Sequence, residues 1–596
     1  MGSSAEYVIA VIGAGPRGTS LLERLLAHIE STPAAQRPKL RVTVYDPAPH
    51  GPGRVWDPSQ SPLYLMNTPA SYPTAAPTGA TLTSLSESSC AASFSDYSQL
   101  KGLGYEDATY PTRAHYGEYL AWLSKEVSAR LRGRGAAVDH VRSEVTVVQP
   151  DDGGYQLRTP RGWRRADAVV LALGHIPAAP GGPSGHLART AQELGLHYQG
   201  PEIPTEVDLS AFPAGAPVLI RGMGLNFFDL MIQLTVGRGG RFRHRPGADP
   251  GHRLEYIPSG QEPVLVAGSR RGTPYRAKTT APGFVPEGIE LHHLTEQRIA
   301  DLLAAHRQLD FTEHLWPLIR ADVQDTYARV SGQPGSPFDV QAYARPFDHR
   351  DFSSHTAYQQ AMLDWLAEDA ASAEAGAQNP EKMAVNALHA ARLRIKPLVT
   401  EGRISPESRL RDVEGWFESL VEGLASGPPL QRIEELAALV RASVVEFLGP
   451  APAYGVDRQT RRFIADSPLV AGVRYSAEHM VEAMMPPNRI TQAAAPVVRS
   501  LLEAGTARPA VVHYGSEAHV HKGFDVTPQP HQLVTAEGEV LHGAYVLGLQ
   551  LSSVQWGTAI AAEAGGDTES TARTLADADA AAADLLRRAR AALDER

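Results

Sequence analysis

The apolar positions near the start of the chain change period within thirty residues. Tyr7 to Ile12 (YVIAVI) is an unbroken apolar run, as expected of a strand buried on both faces. Beyond it Leu21, Leu22, Leu25, Leu26 and Ile29 fall at helical spacing. Strand, tight turn and helix therefore follow one another, and a second apolar strand, Arg41 to Tyr45, ends at Asp46. Tyr116, Tyr119, Leu120, Leu123 and Val127 predict a helix across Tyr110 to Leu131. Val145–Pro150 and Tyr155–Pro160, separated by Asp-Asp-Gly-Gly, read as a hairpin, and Ala168 to Leu173 reads as a buried strand closed by Gly174. A second strand-turn-helix unit runs from Pro217 to Thr235, and another strand spans Val264 to Ala267. From Leu294 to about Leu448 the pattern is mostly helical; strands return near the end, where Ala544–Gly548 is a buried strand, Gln555 to Ala562 begins a helix and Thr568 to Arg596 is a surface helix.

This alternation predicts an α/β fold with two Rossmann-like dinucleotide-binding domains and a large helical insertion. The expected division is 1–176 for the first part of one nucleotide domain, 177–292 for the second nucleotide domain, 293–505 for a mostly helical inserted domain, 506–565 for a return to the first domain and 566–596 for a C-terminal helix. Pro177–Ala216, rich in Pro and Gly, reads as an interdomain connection, and Ala75–Tyr105, rich in Ser, Thr and Gly, as irregular.

The turn after the first strand has G-x-G-x-x-G spacing: Gly13, Gly15, Pro16, Arg17 and Gly18 lie in or beside it. Gly13 permits the turn, Gly15 lets a pyrophosphate approach the backbone, and Gly18 lets helix and strand pack closely; the helix N-terminus favours the anion. Asp46 is positioned to accept hydrogen bonds from a ribose diol, although it lies further beyond Gly18 than usual. In the Pro/Gly-rich loop that follows, Trp56 and Asn67 offer a flat apolar face and an amide to a ring system; the competing reading is a loop packed on its own aromatics. In the second unit Gly222 and Gly224 follow the strand, but Phe227 holds the third glycine position. The strand Val264–Ala267 ends in Gly268, Ser269, Arg270 and Arg271 with no acid, which suits a 2′-phosphate and favours NADPH over NADH, unless these residues are a solvent-facing basic turn.

Composition changes this picture only by exclusion. The 596 residues carry a net charge of −10 with dispersed cations, which gives no nucleic-acid footprint. No apolar run approaches the length of a membrane span and the start lacks a signal-peptide pattern, so a cytoplasmic protein is expected. The single cysteine, Cys90, excludes an internal disulfide, a Cys-rich metal site and a dithiol motif. No zinc motif, hydrolase triad or phosphate-loop lysine is evident, and no metal is expected.

The segments VIGAGPRG, HGPGRVW with LYLMNTP, YPTRAHYGEYL, LALGH, GMGLNFFD and SRRG, with the closing PVVRSLLEAGTARP through VLGLQ, resemble in this order the flavoprotein family of urate hydroxylases and nitrosuccinate-forming L-aspartate N-monooxygenases. The resemblance implies FAD on Gly13, Gly15, Gly18 and Asp46, with Gly174 at the crossing between nucleotide domains and Gln550 and Trp556 brought towards the cofactor; it implies NADPH near Gly222, Gly224, Ser269, Arg270 and Arg271. It further implies an NADPH- and O2-dependent N-monooxygenase of a small amino acid, with L-aspartate foremost. A ring hydroxylase of urate or another purine and a non-catalytic nucleotide-binding protein are the alternatives. An aspartate-like dianion calls for cations, for which Arg113, Arg276, Lys278, Arg394 and Lys396 are candidates, the last two in the run His389–Lys396; a solvated helix face is the competing reading of that run. A homo-oligomer is left open.

Overall fold

The computed structural model describes residues 6–514 and 516–594. Two compact units emerge: residues up to Ala179, Lys396–Glu401 and those from Pro487 onward form the first, and Pro180–Ile395 with Gly402–Pro486 form the second.

In the first unit the strand Tyr7–Ile12 lies inside a sheet, parallel to Leu40–Tyr45 on one side and Ala168–Leu171 on the other. Ala137–Val141 and Val540–Val546 extend the parallel ladder, and Gln532–Val534 adds an antiparallel edge. The side-chain period of two decides which core each residue enters. Ile9 and Val11 pack with Leu21, Leu25 and Leu26 of helix Pro16–Ser31 and with Leu120 and Leu123 of helix Arg113–Gly133. Ala10 and Ile12 face the opposite core, completed by Tyr155, Leu157 and Val498. The hairpin forms between Val147–Asp151 and Gly154–Thr159, and Gly162–Ala166 adds a third strand. Strand order reverses between Tyr7–Ile12 and Ala168–Leu171, the switch point at which doubly wound sheets open a crevice beyond their strand ends.

The second unit repeats the plan. Pro217–Arg221 lies between Val264–Gly268 and His479–Glu482; Val445–Phe447 and His197–Gln199 are the edges, and every pairing is parallel.

Several elements differ from the sequence expectation. The stretch 293–505 is not a separate helical domain: Val445–Phe447 and His479–Glu482 join the second parallel sheet, while the helix Pro496–Glu503 belongs to the first unit. Helices His355–Glu374 and Leu430–Arg441 place Tyr358, Met362, Ile433 and Leu436 in the same core as Val218, Leu219 and Leu265. Strands of only three or four residues carry no period of their own, so the long helices in the same stretch dominate the pattern. The supposed connection 177–216 holds a helix, Gly182–Leu194, and the edge strand His197–Gln199. Within 75–105 a helix forms at Phe94–Lys101, started by a reciprocal capping box between Ser93 and Asp96. Residues 555–562 form turns rather than a helix; Gly557 sits at φ +75°, and the carbonyls of Thr558 and Ile560 accept from Arg17. The final helix, Arg573–Asp594, buries Ala578, Ala581, Ala582, Leu585, Leu586 and Ala589 in the core that holds helix Pro16–Ser31, so it is part of that core.

Candidate active site

The first glycine cluster separates packing from binding. A Cβ on Gly13, at φ +107°, would lie 2.1 Å from the Ala172 carbonyl oxygen, and one on Gly18 would lie 2.3 Å from that of Gly13. Both positions are closed by backbone. A Cβ on Gly15 would meet nothing nearer than 3.9 Å, so this residue, the N-cap of helix Pro16–Ser31, leaves room for a ligand against bare backbone. Asp46 ties the turn to the second strand: Ala14 N–H donates to Oδ2 at 2.7 Å and Ala48 N–H to Oδ1 at 2.8 Å. Each carboxylate oxygen keeps a further lone pair. Arg17 is a strut, donating to Thr558 O at 3.1 Å and Ile560 O at 2.7 Å, and burial lowers its pKa.

Beyond the strand ends Gly174, at φ +62°, accepts from Gln550 Nε2 at 2.9 Å. The same amide donates to Asn488 Oδ1 at 3.0 Å, and Asn488 donates to Leu549 O at 2.7 Å. Gln550 is fully buried, yet its Oε1 meets no hydrogen-bond donor among the described residues. A buried acceptor left open at the sheet's crevice fits a ring N–H such as a flavin carries. Trp56 packs edge-on to Tyr116 of helix Arg113–Gly133 at 4.8 Å, and Asn67 and Trp556 are half-buried. Cys90 is half-buried and its thiol is pushed up to about 11, chiefly by burial.

In the second unit Gly222, at φ +116°, would place a Cβ 3.0 Å from Ala483 O, and Gly224 caps helix Leu225–Thr235 beneath the Tyr275 ring. Phe227 is wholly buried beside Phe228. The basic turn separates into distinct roles. Ser269 donates to Thr273 O at 2.9 Å, and Arg270 is exposed. Arg271 donates to the carbonyl and hydroxyl of Ser419 and lies 5.6 Å over the Tyr275 ring, so its guanidinium is committed to packing. Across this sheet Arg221 forms an ion pair with buried Glu482, which also accepts from Tyr198 at 2.6 Å. Sequence reasoning missed this group, whose charged members stand 261 residues apart.

The candidate substrate cations also divide. Arg276 is buried, donates to Asp369 at 3.2 Å and to Tyr343 O at 3.0 Å, and lies 3.7 Å from the Tyr343 ring centroid and 4.7 Å from that of Trp365. Lys382 shares Asp369 at 2.8 Å. Burial works against ionising Asp369, but these two cations hold it below the ordinary carboxylate range. Arg276 is therefore a structural ion-pair member. Arg394 reaches out to Glu296 at 2.6 Å on the surface. Arg113 donates to Leu65 O at 3.1 Å and lies 5.6 Å over Tyr64. Lys396 is buried, with Nζ 3.2 Å from where a Gly557 Cβ would stand. Lys278 is half-buried, 6.0 Å over the Phe284 ring. Among the described residues no group of three or more His, Cys, Asp or Glu could hold a metal ion, and no helix is long and apolar enough to cross a membrane.

Residues 10–176 match the FAD-NAD(P)-binding family. An L-aspartate N-monooxygenase (nitrosuccinate-forming) of Streptomyces cremeus is 35% identical over 97% of this chain and 95% of its own length. The chain belongs to the nitrosuccinate-forming L-aspartate N-monooxygenase family. The enzyme of that name from Streptomyces davaonensis is 33% identical over 97% of each chain, and nitrosuccinic acid synthase npaA of Aspergillus oryzae is 32% identical over 96% of this chain and 92% of its own. Kinship of this extent spans both units.

Proposed function

We propose that this protein is an FAD- and NADPH-dependent monooxygenase that oxidises the amine of L-aspartate towards nitrosuccinate. The observation that carries the reading is full-length kinship to enzymes of that name, joined to a first unit whose open backbone at Gly15 and open acceptor at Gln550 suit a flavin dinucleotide. In this reading the turn shaped by Gly13 and Gly18 would hold FAD, with Gly15 leaving room for the pyrophosphate and Asp46, Gly174 and Gln550 as further residues that would hold it. NADPH lies on Gly222 and Gly224 with Arg270 at the 2′-phosphate. Bound flavin, once reduced by NADPH, supplies the activation of O2 that no side chain can provide.

The chain's own residues bind, orient and exclude water. Helix Pro16–Ser31 meets the pyrophosphate with N–H groups and positive dipole. Asp46, fixed by two backbone donors, holds the ribose hydroxyls without moving. Gln550, itself fixed by Gly174 and Asn488, would accept a hydrogen bond from a flavin ring N–H and help to orient it. The amine must then be held within reach of the ring, where orientation supplies much of the rate.

The test is mass spectrometry of aerobic reactions of the purified protein with FAD and NADPH, given L-aspartate, other amino acids or urate separately, beside controls without enzyme. Oxygen added to the nitrogen of aspartate is the expected result. Aspartate recovered unchanged while NADPH is consumed would refute the substrate, and oxygenated urate would replace it.

A further inference from the structure

The charged group at the end of the second sheet has one side left open. Arg221 closes the strand Pro217–Arg221 and Glu482 the neighbouring strand His479–Glu482, so both stand at carboxyl ends. Arg221 donates from Nε to Glu482 Oε2 at 2.7 Å, and from Nη2 to Glu482 Oε1 and, at 2.9 Å, to Ser184 Oγ. Tyr198 donates to Glu482 Oε1 at 2.6 Å. The guanidinium carbon lies 5.7 Å over the ring of Tyr454, whose hydroxyl donates to Ile220 O at 2.9 Å. A guanidinium carries five N–H bonds in one rigid plane, and these contacts use three of them. The two on Nη1 meet no acceptor among the described residues, and the side chain is 24% exposed while that of Glu482 is wholly buried. Fixed along one edge, the fork presents its other edge to solvent.

Topology decides which part of a ligand that edge meets. From Pro217–Arg221 the sheet grows through Val264–Gly268 and Val445–Phe447 on one side, and the chain then crosses to His479–Glu482 on the other. The crevice of this switch point opens between Arg221 and Glu482, and a dinucleotide lies across such a crevice with one nucleotide on each side. In the NADPH reading, on which this inference rests, Arg270 beyond Val264–Gly268 takes the adenosine 2′-phosphate, so the other nucleotide falls on the side of Glu482. There Met484 stands 40% exposed, its Cγ 3.5 Å from where a Gly222 Cβ would be, an apolar side chain beside the glycine turn. We infer that Arg221, held by Glu482, Tyr198 and Ser184, binds the nicotinamide nucleotide half of NADPH, donating from Nη1 to its oxygens. Glu482 balances the charge of Arg221 and fixes its direction, so this arginine contributes orientation, whereas exposed Arg270 contributes net charge.

The experiment titrates oxidised, FAD-loaded protein by calorimetry with NADP+ and, separately, with adenosine 2′,5′-bisphosphate, which carries the 2′-phosphate and lacks the nicotinamide nucleotide. Arg221→Lys keeps a cation for Glu482 and loses the second edge of the fork. It should weaken NADP+ binding roughly 10- to 100-fold and bind the bisphosphate within about twofold of wild type. Arg270→Gln should weaken both ligands. The paired variant Arg221→Met with Glu482→Leu strands no buried charge, and it should show the same split between ligands if Arg221→Lys fails to fold. Equal loss for both ligands, or NADP+ bound by the Arg221 variants as by wild type, would overturn the assignment of Arg221 and leave the NADPH reading standing. Wild type that binds neither ligand would remove that reading and the inference with it.

Discussion

Replacing Asp369 by Asn tests how the second unit holds the segment Arg276–Lys278. Asp369 is wholly buried and joins three donors: Lys382 Nζ at 2.8 Å, Arg276 at 3.2 Å and Ala277 N–H at 2.7 Å. An asparagine keeps the shape and an acceptor for Ala277, so the loss is one charge between two buried cations. Breaking a buried pair from one side costs about 3–5 kcal/mol. The surviving hydrogen bond and the stacking of Arg276 on Tyr343 and Trp365 point to the lower end, about 3 kcal/mol, or roughly 2–5 °C in melting temperature. Tryptophan fluorescence during thermal unfolding is a suitable assay, since Trp365 touches Arg276. Adding Lys382→Met removes one stranded cation, so the double variant should be more stable than the sum of the single effects by about 1 kcal/mol or more. Melting within about 1 °C of wild type, or strict additivity, would show that the triad holds little.

Gly13→Ala should yield little folded protein, since its Cβ would sit 2.1 Å from a backbone oxygen, whereas Gly15→Ala, with nothing inside 3.9 Å, should fold and lose FAD; flavin absorbance of the purified variants separates the two. Arg270→Gln should raise the KM for NADPH roughly 10- to 100-fold and leave that for NADH nearly unchanged, while Arg271→Gln should lower the melting temperature, because Arg271 holds Ser419. His140 and His175 are held down to about 4, each chiefly by burial, His140 further by His50 and His175 by Arg54. The unfolded chain then binds more protons between about pH 6.5 and 4, so their contribution is full above that window and is lost as the pH falls through it. With partial solvent access this is about 1–2 kcal/mol for each, and denaturant midpoints of His140→Asn across that range should be flatter than those of wild type.

By itself the sequence determined the features written in consecutive residues: the strand Tyr7–Ile12, the glycine spacing after it, the helix from Pro16, the acid at Asp46 and a second turn at Gly222 and Gly224. Short-range sterics act there, so spacing along the chain is spacing in space. Tertiary structure decided what each charged side chain meets. Arg270 and Arg271 are neighbours in sequence, yet one is exposed and the other packs on Ser419; Arg276 and Lys278 are two apart, yet only the first is turned into Asp369. The partner that distinguishes them lies 93 residues from Arg276, and no local period records a contact of that range. The short strands Val445–Phe447 and His479–Glu482 were obscured for the same reason: their burial comes from Val264–Gly268 and Pro217–Arg221, far back in the chain. Long-range pairing gives these segments their structure and gives the cations their roles.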